Sequence, residues 1–460
     1  MATSTNPSHQ SISPSTAAKI TFIGAGSTVF LKNILGDIFL ESDIPGNLEL
    51  SLYDIDGQRL EESRLVAEAL NSKYNQGKAR VTTWLGVEQR KDSLAGADFV
   101  INTIQIGGYD PATIVDFEIP KKYGLRQTIA DTLGIGGIFR GLRTFPIMEQ
   151  LGQEIEQVAP KALMLNYTNP MAIVTGALTN YTQVPTVGLC HSVQVCASHL
   201  LRDLDMSAEH LRWTIAGINH MAWLLDVRDG EQDLYPEIKR RAAEKNRKAL
   251  TDPSQKHHDM VRYEIMKHFG YYITESSEHN AEYTPYWIKS GHPELIDAYN
   301  IPLDEYPRRC IQQIKDWAAQ KDHILSDHGL DHTPSVEYAA PIIAGVLTDR
   351  PRRIHGNVKN TNLIPNLPTD AIVEVPILID GNGLNPCAVP ALPTQCAALN
   401  MTNINVQLLT LEAAAQRSKD RVYQAAMLDP HTAAELTLDQ IRSLCDELFE
   451  AHSRWLPEYR

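Results

Sequence analysis

The chain has 460 residues, and its 42 Lys and Arg against 56 Asp and Glu give a formal net charge of −14 at pH 7. This length is enough for two domains, and the acidic balance argues against nucleic acid or an anionic membrane as the main partner, since both require clustered positive charge. No apolar run approaches the roughly 20 residues that cross a bilayer, and the six cysteines include no CxxC pair, so we expect a cytoplasmic protein with free thiols.

The first half of the chain is predicted to form a Rossmann-like domain. Residues 1–18, rich in Ser, Thr, Pro and Ala, lack the apolar core of a signal peptide and are predicted to be a disordered tail. Short apolar runs then alternate with segments of helical spacing. This alternation predicts a parallel sheet with crossover helices over residues 19–199. The strands are predicted at 19–24, 48–54, 98–104, 163–166 and 186–189, and the helices at 27–41 and 57–74.

The second half, residues 200–460, has a looser pattern. It is predicted to be a mixed α/β domain that contributes substrate and metal contacts. The whole chain is then of the α/β class, with a Rossmann-like parallel-sheet domain first and the two-domain architecture of the lactate and malate dehydrogenases. Helices are predicted near 235–248, 257–269, 306–325, 335–348 and 408–427, and strands at 213–217, 222–227 and 371–379.

Gly24-Ala-Gly26 stands where the first strand passes into the first helix. Glycines at such a junction allow a tight turn and let the backbone approach a pyrophosphate, which then faces the helix N-terminus at Ser27. Asp54 ends the next strand, where an acid accepts hydrogen bonds from a ribose diol and disfavours a 2′-phosphate. Gln105 follows a later strand, at the sheet edge where ligands of such sheets bind. These features indicate an NAD site, and the alternative is an ordinary strand-to-helix turn.

Four polar segments follow apolar runs, and each can end at the same cleft. They contain Asp131, Asn169, the pair Cys190 and His191, and His220. A thiolate and an imidazole are ligands for a divalent metal, and two protein ligands leave positions for substrate hydroxyls and water, as a catalytic Lewis acid requires. Taken singly, each of these residues is more often structural. Together with the nucleotide turn they indicate redox chemistry at a carbinol carbon.

Ten segments carry a further signal: KITFIGAGST, TIADTLGIGGIFR, NYTNPMA, GLCHSVQ, GINHMAW, GYYITESSEHNAEYTPYWIK, IHGNVKN, NLP, TNINVQ and DPHTAA. They resemble glycoside hydrolase family four, and within it the members that hydrolyse α-galactosides such as melibiose. This NAD-dependent family is an exception to the two-carboxylate scheme of glycosidases. The resemblance implies bound NAD⁺, a divalent metal that is usually Mn²⁺, and a homodimer or homotetramer. It also implies transient oxidation at the sugar C3, removal of the C2 proton, elimination of the aglycone, addition of water and reduction.

The resemblance further implies roles for single residues. Cys190 and His220 match the metal ligands, and His191 matches the acid that protonates the leaving group. The sugar contacts match Asn169 and Asp131, and the cofactor contacts match Gly24, Gly26 and Asp54. Relatives take the C2 base from the segment that corresponds to Glu275–His279. The candidates here are Glu275, Glu278, His279, Tyr263, Tyr272, Tyr283 and a metal-bound hydroxide. We select Tyr283, because a phenol near a cation can ionise near neutral pH, and place Glu278 second.

Three alternatives stay open on the sequence alone. The first is an NAD-dependent 2-hydroxy acid dehydrogenase in which Arg140 or Arg143 grips the substrate carboxylate, which the cysteine- and histidine-containing segments disfavour. The second is a sugar or nucleotide sensor without activity, which would require a damaged cluster. The third is a family-four glycosidase of another specificity, for an α-glucoside, α-glucuronide or α-galacturonide.

Overall fold

The structure is a computed structural model that describes residues 17–325 and 330–460. The predicted tail therefore lies outside the described residues, apart from Ala17 and Ala18. Within these ranges, thirteen strands belong to one sheet. They are β1 (Lys19–Ile23), β2 (Glu49–Asp54), β3 (Arg80–Leu85), β4 (Phe99–Asn102), β5 (Leu163–Asn166), β6 (Thr186–Gly188), β7 (Leu211–Ile218), β8 (Met221–Asp229), β9 (Gln232–Asp233), β10 (Tyr272–Ile273), β11 (Arg352–Lys359), β12 (Ile372–Asp380) and β13 (Gly383–Pro386).

Seventeen α-helices in the same ranges connect the strands and cover the sheet. None of them has an apolar stretch long enough to cross a bilayer. They are α1 (Thr28–Leu40), α2 (Gly57–Asn75), α3 (Arg90–Leu94), α4 (Ile114–Lys122), α5 (Gly134–Val158), α6 (Met171–Tyr181), α7 (Ser192–Asp203), α8 (Tyr235–Thr251), α9 (Met260–Phe269), α10 (Ser277–Glu282), α11 (Glu294–Ala298), α12 (Glu305–Leu325), α13 (Ala339–Thr348), α14 (Thr394–Gln416), α15 (Lys419–Leu428), α16 (Pro430–Glu435) and α17 (Leu438–Ala451).

The strand order divides the sheet into a parallel and an antiparallel half. The strands β3-β2-β1-β4-β5-β6 are parallel, in the doubly wound order whose switch point lies between β1 and β4. β6 then pairs with β11 through Gly188 and Asn357, and β11, β12, β7, β8 and β10 continue in antiparallel pairs. The prediction of an α/β fold with a Rossmann-like parallel sheet followed by a mixed half is confirmed.

The inner parallel strands are buried along their whole length. Every residue of β1 and β4 is buried, because helices cover both faces of a parallel sheet. Such strands are apolar without alternation, which is why they were predictable from sequence. The outer strand β3 is instead mostly exposed or partly exposed, and its mixed sequence RVTTWL gave no prediction.

Two helical regions differ from the sequence predictions. The helix α5 was not predicted because Gly136 and Gly137 near its start are poor helix formers. They are accommodated by close packing, since a Cβ on Gly137 would meet the Thr132 backbone carbon at 2.6 Å. The single helix predicted at 408–427 is in fact the end of α14 and most of α15. It breaks at Arg417, whose φ is 53°, after which the Ser418 side chain caps α15.

Candidate active site

The parallel strands bring several predicted residues to one edge of the sheet. The turn that begins at Gly24 follows β1, the segment of Asn169 follows β5, and Cys190 follows β6. Gln105 follows β4, and its Nε2 donates to Thr113 Oγ1 at 3.2 Å. The carboxyl ends of parallel strands, next to the switch point, are where such sheets bind their ligands.

The turn between β1 and α1 fits a dinucleotide. Gly24 has a φ of +86°, and its N–H donates to the Tyr53 carbonyl at 3.0 Å. The Gly26 N–H donates to Asp54 Oδ2 at 2.7 Å, and a Cβ on Gly26 would lie 2.7 Å from the same oxygen. Ser27 caps α1 without a side-chain hydrogen bond, which leaves the first N–H groups of α1 available to a phosphate.

Ligand atoms from three loops converge beside this edge. The predicted pair Cys190 and His220 is brought together, and Glu275, from the loop between β10 and α10, joins them. Glu275 Oε2 lies 3.6 Å from His220 Nε2 and 3.9 Å from Cys190 Sγ. The three ligand atoms lie within 4.8 Å of one another. A thiolate, an imidazole and a carboxylate in this arrangement fit a divalent cation.

Burial and neighbouring charges set the protonation of these three groups. Burial raises the pKa of the Cys190 thiol, and the carboxylates of Glu275 and Glu374 add to this shift. Burial lowers the pKa of His220 to about 4. Burial opposes ionisation of Glu275, but His220 and His279 outweigh it and lower the pKa of Glu275 to about 2. At neutral pH the imidazole is neutral and the carboxylate ionised, the forms that bind metals, whereas the thiol must lose its proton.

Tyr283 lies behind His220. Its hydroxyl is 3.1 Å from His220 Nδ1, on the side of the ring opposite the Nε2 that faces Glu275. With Nε2 as a metal ligand, Nδ1–H donates to the Tyr283 oxygen, an arrangement that fixes the orientation of metal-binding histidines. Tyr283 is fully buried, and burial raises its pKa well above the usual value.

Left-handed backbone occurs at three positions around the cluster. His220 has a φ of 62°, Glu275 of 63° and Ala130, which precedes Asp131, of 54°. Residues other than glycine adopt this conformation at a cost of about 1–3 kcal/mol, and such residues recur at functional sites. At His220 and Glu275 it accompanies side chains whose nearest polar atoms lie 3.6 Å apart.

Asp131 and Asn169 form the second group of predicted residues. Asp131 Oδ2 accepts a hydrogen bond from Asn169 Nδ2 at 3.2 Å, and the Asn169 carbonyl accepts one from Arg140 Nε at 3.2 Å. Burial opposes ionisation of Asp131, but Arg140 and nearby histidines outweigh it and lower the pKa. Asn169 Oδ1 is buried without a protein hydrogen-bond partner. A carboxylate beside an unpaired amide oxygen suits sugar hydroxyls, which can donate to both.

The carboxylate of Glu282 holds the loop that carries Asp131. Its Oε1 accepts from the Ala130 N–H at 2.8 Å, and its Oε2 accepts from the N–H groups of Thr128 and Ile129 at 2.9 and 3.2 Å. Three consecutive backbone donors on one carboxylate fix the course of the loop, so Glu282 positions Asp131 without facing the cluster itself.

His191 lies at the exposed rim of the cluster. Its side chain is 55% exposed, and Nδ1 lies 3.4 Å from Glu337 Oε1. The hydrogen bond and charge of Glu337 raise the pKa of His191. The raised pKa favours the protonated imidazole, and its place at the rim, one residue after Cys190, suits it to reach a leaving group.

Glu278 is not brought into the cluster. Its carboxylate pairs with Arg309 on α12, and its backbone carbonyl accepts from Thr128 Oγ1 at 2.7 Å. Two other base candidates, Tyr263 and Tyr272, pack together in a separate apolar core beneath β8. None of the three has a described contact with Cys190 or His220.

His279 connects the two groups. Its Nδ1 lies 2.8 Å from Ser276 Oγ, and its Nε2 lies 3.9 Å from Asp131 Oδ1. The ring packs edge-on against that of His220, with centroids 4.8 Å apart. His279 is therefore placed between the metal-ligand group and the pair of Asp131 and Asn169.

Three acidic residues near the site were missed by sequence reasoning. Glu282 and Glu337 gave no local signal, because their partners are far away in the chain: Glu282 and Thr128 are 154 residues apart. Glu374 did leave a local signal, because it is an acid in the middle of the otherwise apolar strand IVEVPILID, which ends at Asp380. It is fully buried, accepts from Asn357 Nδ2 at 3.1 Å, and burial raises its pKa to about 8.

The doubly wound sheet order, a turn that fits a dinucleotide and a Cys–His–Glu group that could hold a cation together indicate a Rossmann-type enzyme. Two family models match this chain. The one described as Family 4 glycosyl hydrolase matches residues 19–206, and the one described as Family 4 glycosyl hydrolase C-terminal domain matches residues 215–432. The chain belongs to glycoside hydrolase family four and is a glycosidase.

Individual relatives agree with this assignment. The chain is 56% identical over 442 residues to an alpha-galactosidase of Bacillus subtilis, with 96% of this chain and 100% of the relative covered. It is 33% identical to an alpha-galactosidase of Rhizobium meliloti, with 96% and 89% covered. Among solved structures, a putative glucosidase of Bacillus subtilis superposes with a TM-score of 0.82 at 24% identity, covering 94% of this chain and 99% of that one. A 6-phospho-alpha-glucosidase from gut microorganisms, solved in complex with NAD and Mn²⁺, has a TM-score of 0.78 at 22% identity, with 97% and 100% covered.

Proposed function

We propose that this enzyme hydrolyses α-D-galactosides, with NAD⁺ and Mn²⁺ as cofactors. The observation that carries the choice of sugar is the 56% identity to the Bacillus subtilis alpha-galactosidase over 96% of the chain. The turn at Gly24-Ala-Gly26 with Asp54 fits the dinucleotide, and the group around Cys190 and His220 fits the cation. The neighbouring structure in complex with NAD and Mn²⁺ supports both cofactors.

Each residue of the site has a separate role in the proposed reaction. When bound, NAD⁺ supplies a reversible hydride acceptor for the sugar C3, and Mn²⁺ supplies a Lewis acid toward the sugar oxygens. Cys190 and His220 would hold the cation. Asp131 and Asn169 bind and orient sugar hydroxyls, and His191 donates a proton to the glycosidic oxygen. Hydrolysis of a glycoside involves no net redox change, so no NADH should accumulate.

We propose His279 as the group that takes the C2 proton. The hydroxyl of Tyr283, the residue selected from the sequence, lies at His220 Nδ1, on the side of the ring away from Glu275, and burial and the Asp131 carboxylate raise the pKa of Tyr283 well above its usual value. His279 Nε2 is directed at Asp131, on the side of the sugar contacts. A general base must lie within reach of the proton it removes, and this placement favours His279.

A panel of p-nitrophenyl glycosides, with and without NAD⁺, Mn²⁺ and a thiol reductant, tests the proposed activity. We expect turnover of the α-galactoside only when both cofactors are present, without net formation of NADH. Unchanged activity after both cofactors are stripped would overturn the proposal. Turnover of an α-glucoside or α-galacturonide instead would contradict the choice of sugar.

Asp54→Asn should weaken NAD⁺ binding about tenfold or more, because a hydrogen bond to a charged group contributes about 1.5–3 kcal/mol. The amide oxygen of the variant can still accept from Gly26, so the turn should be kept. Calorimetric titration with NAD⁺ measures the effect, and Asp297→Asn is the matched control because Asp297 is 92% exposed. Equal affinity of the Asp54 variant and the wild type would count against the ribose contact.

His191→Ala should slow hydrolysis of melibiose about 10²–10⁴-fold, the usual contribution of a general acid. The loss should be much smaller with p-nitrophenyl α-galactoside, since p-nitrophenolate leaves without protonation. The rates of the two substrates give the comparison, and His292→Ala, at a surface histidine that is 63% exposed, is the control. Equal losses on both substrates would contradict the role of His191 as the acid.

A further inference from the structure

We propose that Glu275 is a third protein ligand of the cation, an inference that rests on the proposed function. The sequence placed Glu275 only among the candidate bases. In the structure its Oε1 accepts the Ser276 N–H at 3.1 Å. Its Oε2 is thereby directed at the other two ligands, 3.6 Å from His220 Nε2 and 3.9 Å from Cys190 Sγ.

Charge balance supports this role. The side chains of His220 and Glu275 are 5% and 20% exposed, so the cation would lie in a largely buried position. A thiolate and a neutral imidazole leave one positive charge on a bound divalent ion, and burial of an unpaired charge is unfavourable. The carboxylate of Glu275 would supply the second negative charge, so that the ion and its three protein ligands together are neutral.

The kind of atom that Glu275 contributes favours Mn²⁺. Thiolate and imidazole ligands alone suit softer ions such as Zn²⁺, whereas carboxylate oxygen suits Mn²⁺. With three protein ligands, a cation of higher coordination number would keep positions for substrate oxygens and water. Glu275 therefore makes the site prefer a harder ion and still leaves coordination positions for the substrate.

This role removes Glu275 from the candidate bases. A carboxylate that is bound to a cation has a lowered proton affinity and is therefore a poor proton acceptor. The C2 proton must then go to another group, which agrees with the position of His279 beside Asp131.

The inference is tested by titrating chelator-treated protein with Mn²⁺ in the absence of substrate. The electron paramagnetic resonance signal of the free ion measures how much Mn²⁺ is bound. Glu275→Gln should weaken Mn²⁺ binding at least about 100-fold, beyond the range of 10–100-fold typical of residues that only support a ligand. It should weaken Zn²⁺ binding less, so the preference for Mn²⁺ falls. Glu294→Gln, at a surface glutamate that is 67% exposed, should bind Mn²⁺ like the wild type.

A second variant protects the test against a folding defect. Glu275→Asp keeps the charge but shortens the side chain by one methylene, and its Mn²⁺ affinity should lie between those of the wild type and Glu275→Gln. Thermal unfolding of the metal-free variants checks that both are folded. Unchanged Mn²⁺ affinity in Glu275→Gln, together with lost hydrolysis, would overturn the inference and make Glu275 a group that acts on the substrate. A wild-type protein that binds no Mn²⁺ would overturn the metal in the proposed function itself.

Discussion

Replacing Cys190 by Ser is expected to lower kcat/KM for an α-galactoside about 10³-fold or more, because Lewis-acid stabilisation of a reacting oxygen contributes several kcal/mol. A serine hydroxyl stays protonated at neutral pH and supplies neither the charge nor the soft atom of a thiolate. NAD⁺ affinity should stay within about twofold of the wild type, since the nucleotide turn is built from β1 and β2. Steady-state kinetics at saturating Mn²⁺ and calorimetric titration with NAD⁺ measure the two quantities.

Cys387→Ser is the matched control, because Cys387 is an exposed free cysteine outside the site. It should hydrolyse the substrate like the wild type. Full activity of the Cys190 variant in the presence of a chelator would show that the reaction does not depend on the cation. A parallel loss of NAD⁺ binding would point to a folding defect rather than to a metal ligand.

The parallel half of the fold was predictable because its signals are local. β1 and β4 are continuous apolar runs, and the turn at Gly24-Ala-Gly26 directly joins a strand to a helix. Cys190 and His220 also follow strands in single short segments, so their meeting at the sheet edge could be expected. The resemblance to family four added the identity of the chemistry, which composition and spacing could not supply.

The parts that were not predicted depend on long-range contacts. Glu282 supports the loop before Asp131 from 154 residues away, and no local pattern marks such a contact. The side of His220 on which Tyr283 lies depends on the placement of α10, which packs against α9, and sequence spacing does not determine it. The helix α5 starts with glycines that propensity disfavours, and close packing against Thr132 compensates for them.

The cluster can form only when the two halves of the sheet are joined. Cys190 follows the last parallel strand, whereas His220 and Glu275 belong to the antiparallel half. At the junction of the halves, Asn357 Nδ2 donates to the Gly188 carbonyl at 3.3 Å and to Glu374 Oε1 at 3.1 Å. Glu374 in turn pairs with Gly217 of β7, so a buried polar contact joins the strands that lead to Cys190 and to His220.

The variants His279→Gln and Tyr283→Phe are expected to distinguish the general base from the residue that supports the metal ligand His220. Loss of a general base lowers kcat about 10²–10⁴-fold, and we expect this loss in His279→Gln at every Mn²⁺ concentration. Tyr283→Phe removes the oxygen that accepts from His220 Nδ1, and loss of such a supporting contact weakens metal binding about 10–100-fold. Its activity should therefore recover when the Mn²⁺ concentration is raised.

Kinetics over a range of Mn²⁺ concentrations, with substrate deuterated at C2, distinguish the two roles. In His279→Gln, C2 proton removal becomes slower, so the primary isotope effect should rise above that of the wild type, whereas in Tyr283→Phe at saturating Mn²⁺ it should match the wild type. His268→Gln is the control, because that side chain is 63% exposed on the surface. A loss in Tyr283→Phe that Mn²⁺ does not restore, with an increased isotope effect, would return the role of base to Tyr283. Since a phenol that takes this proton would need the cation to lower its pKa, that outcome would also require Tyr283 to face the cation rather than the back of His220.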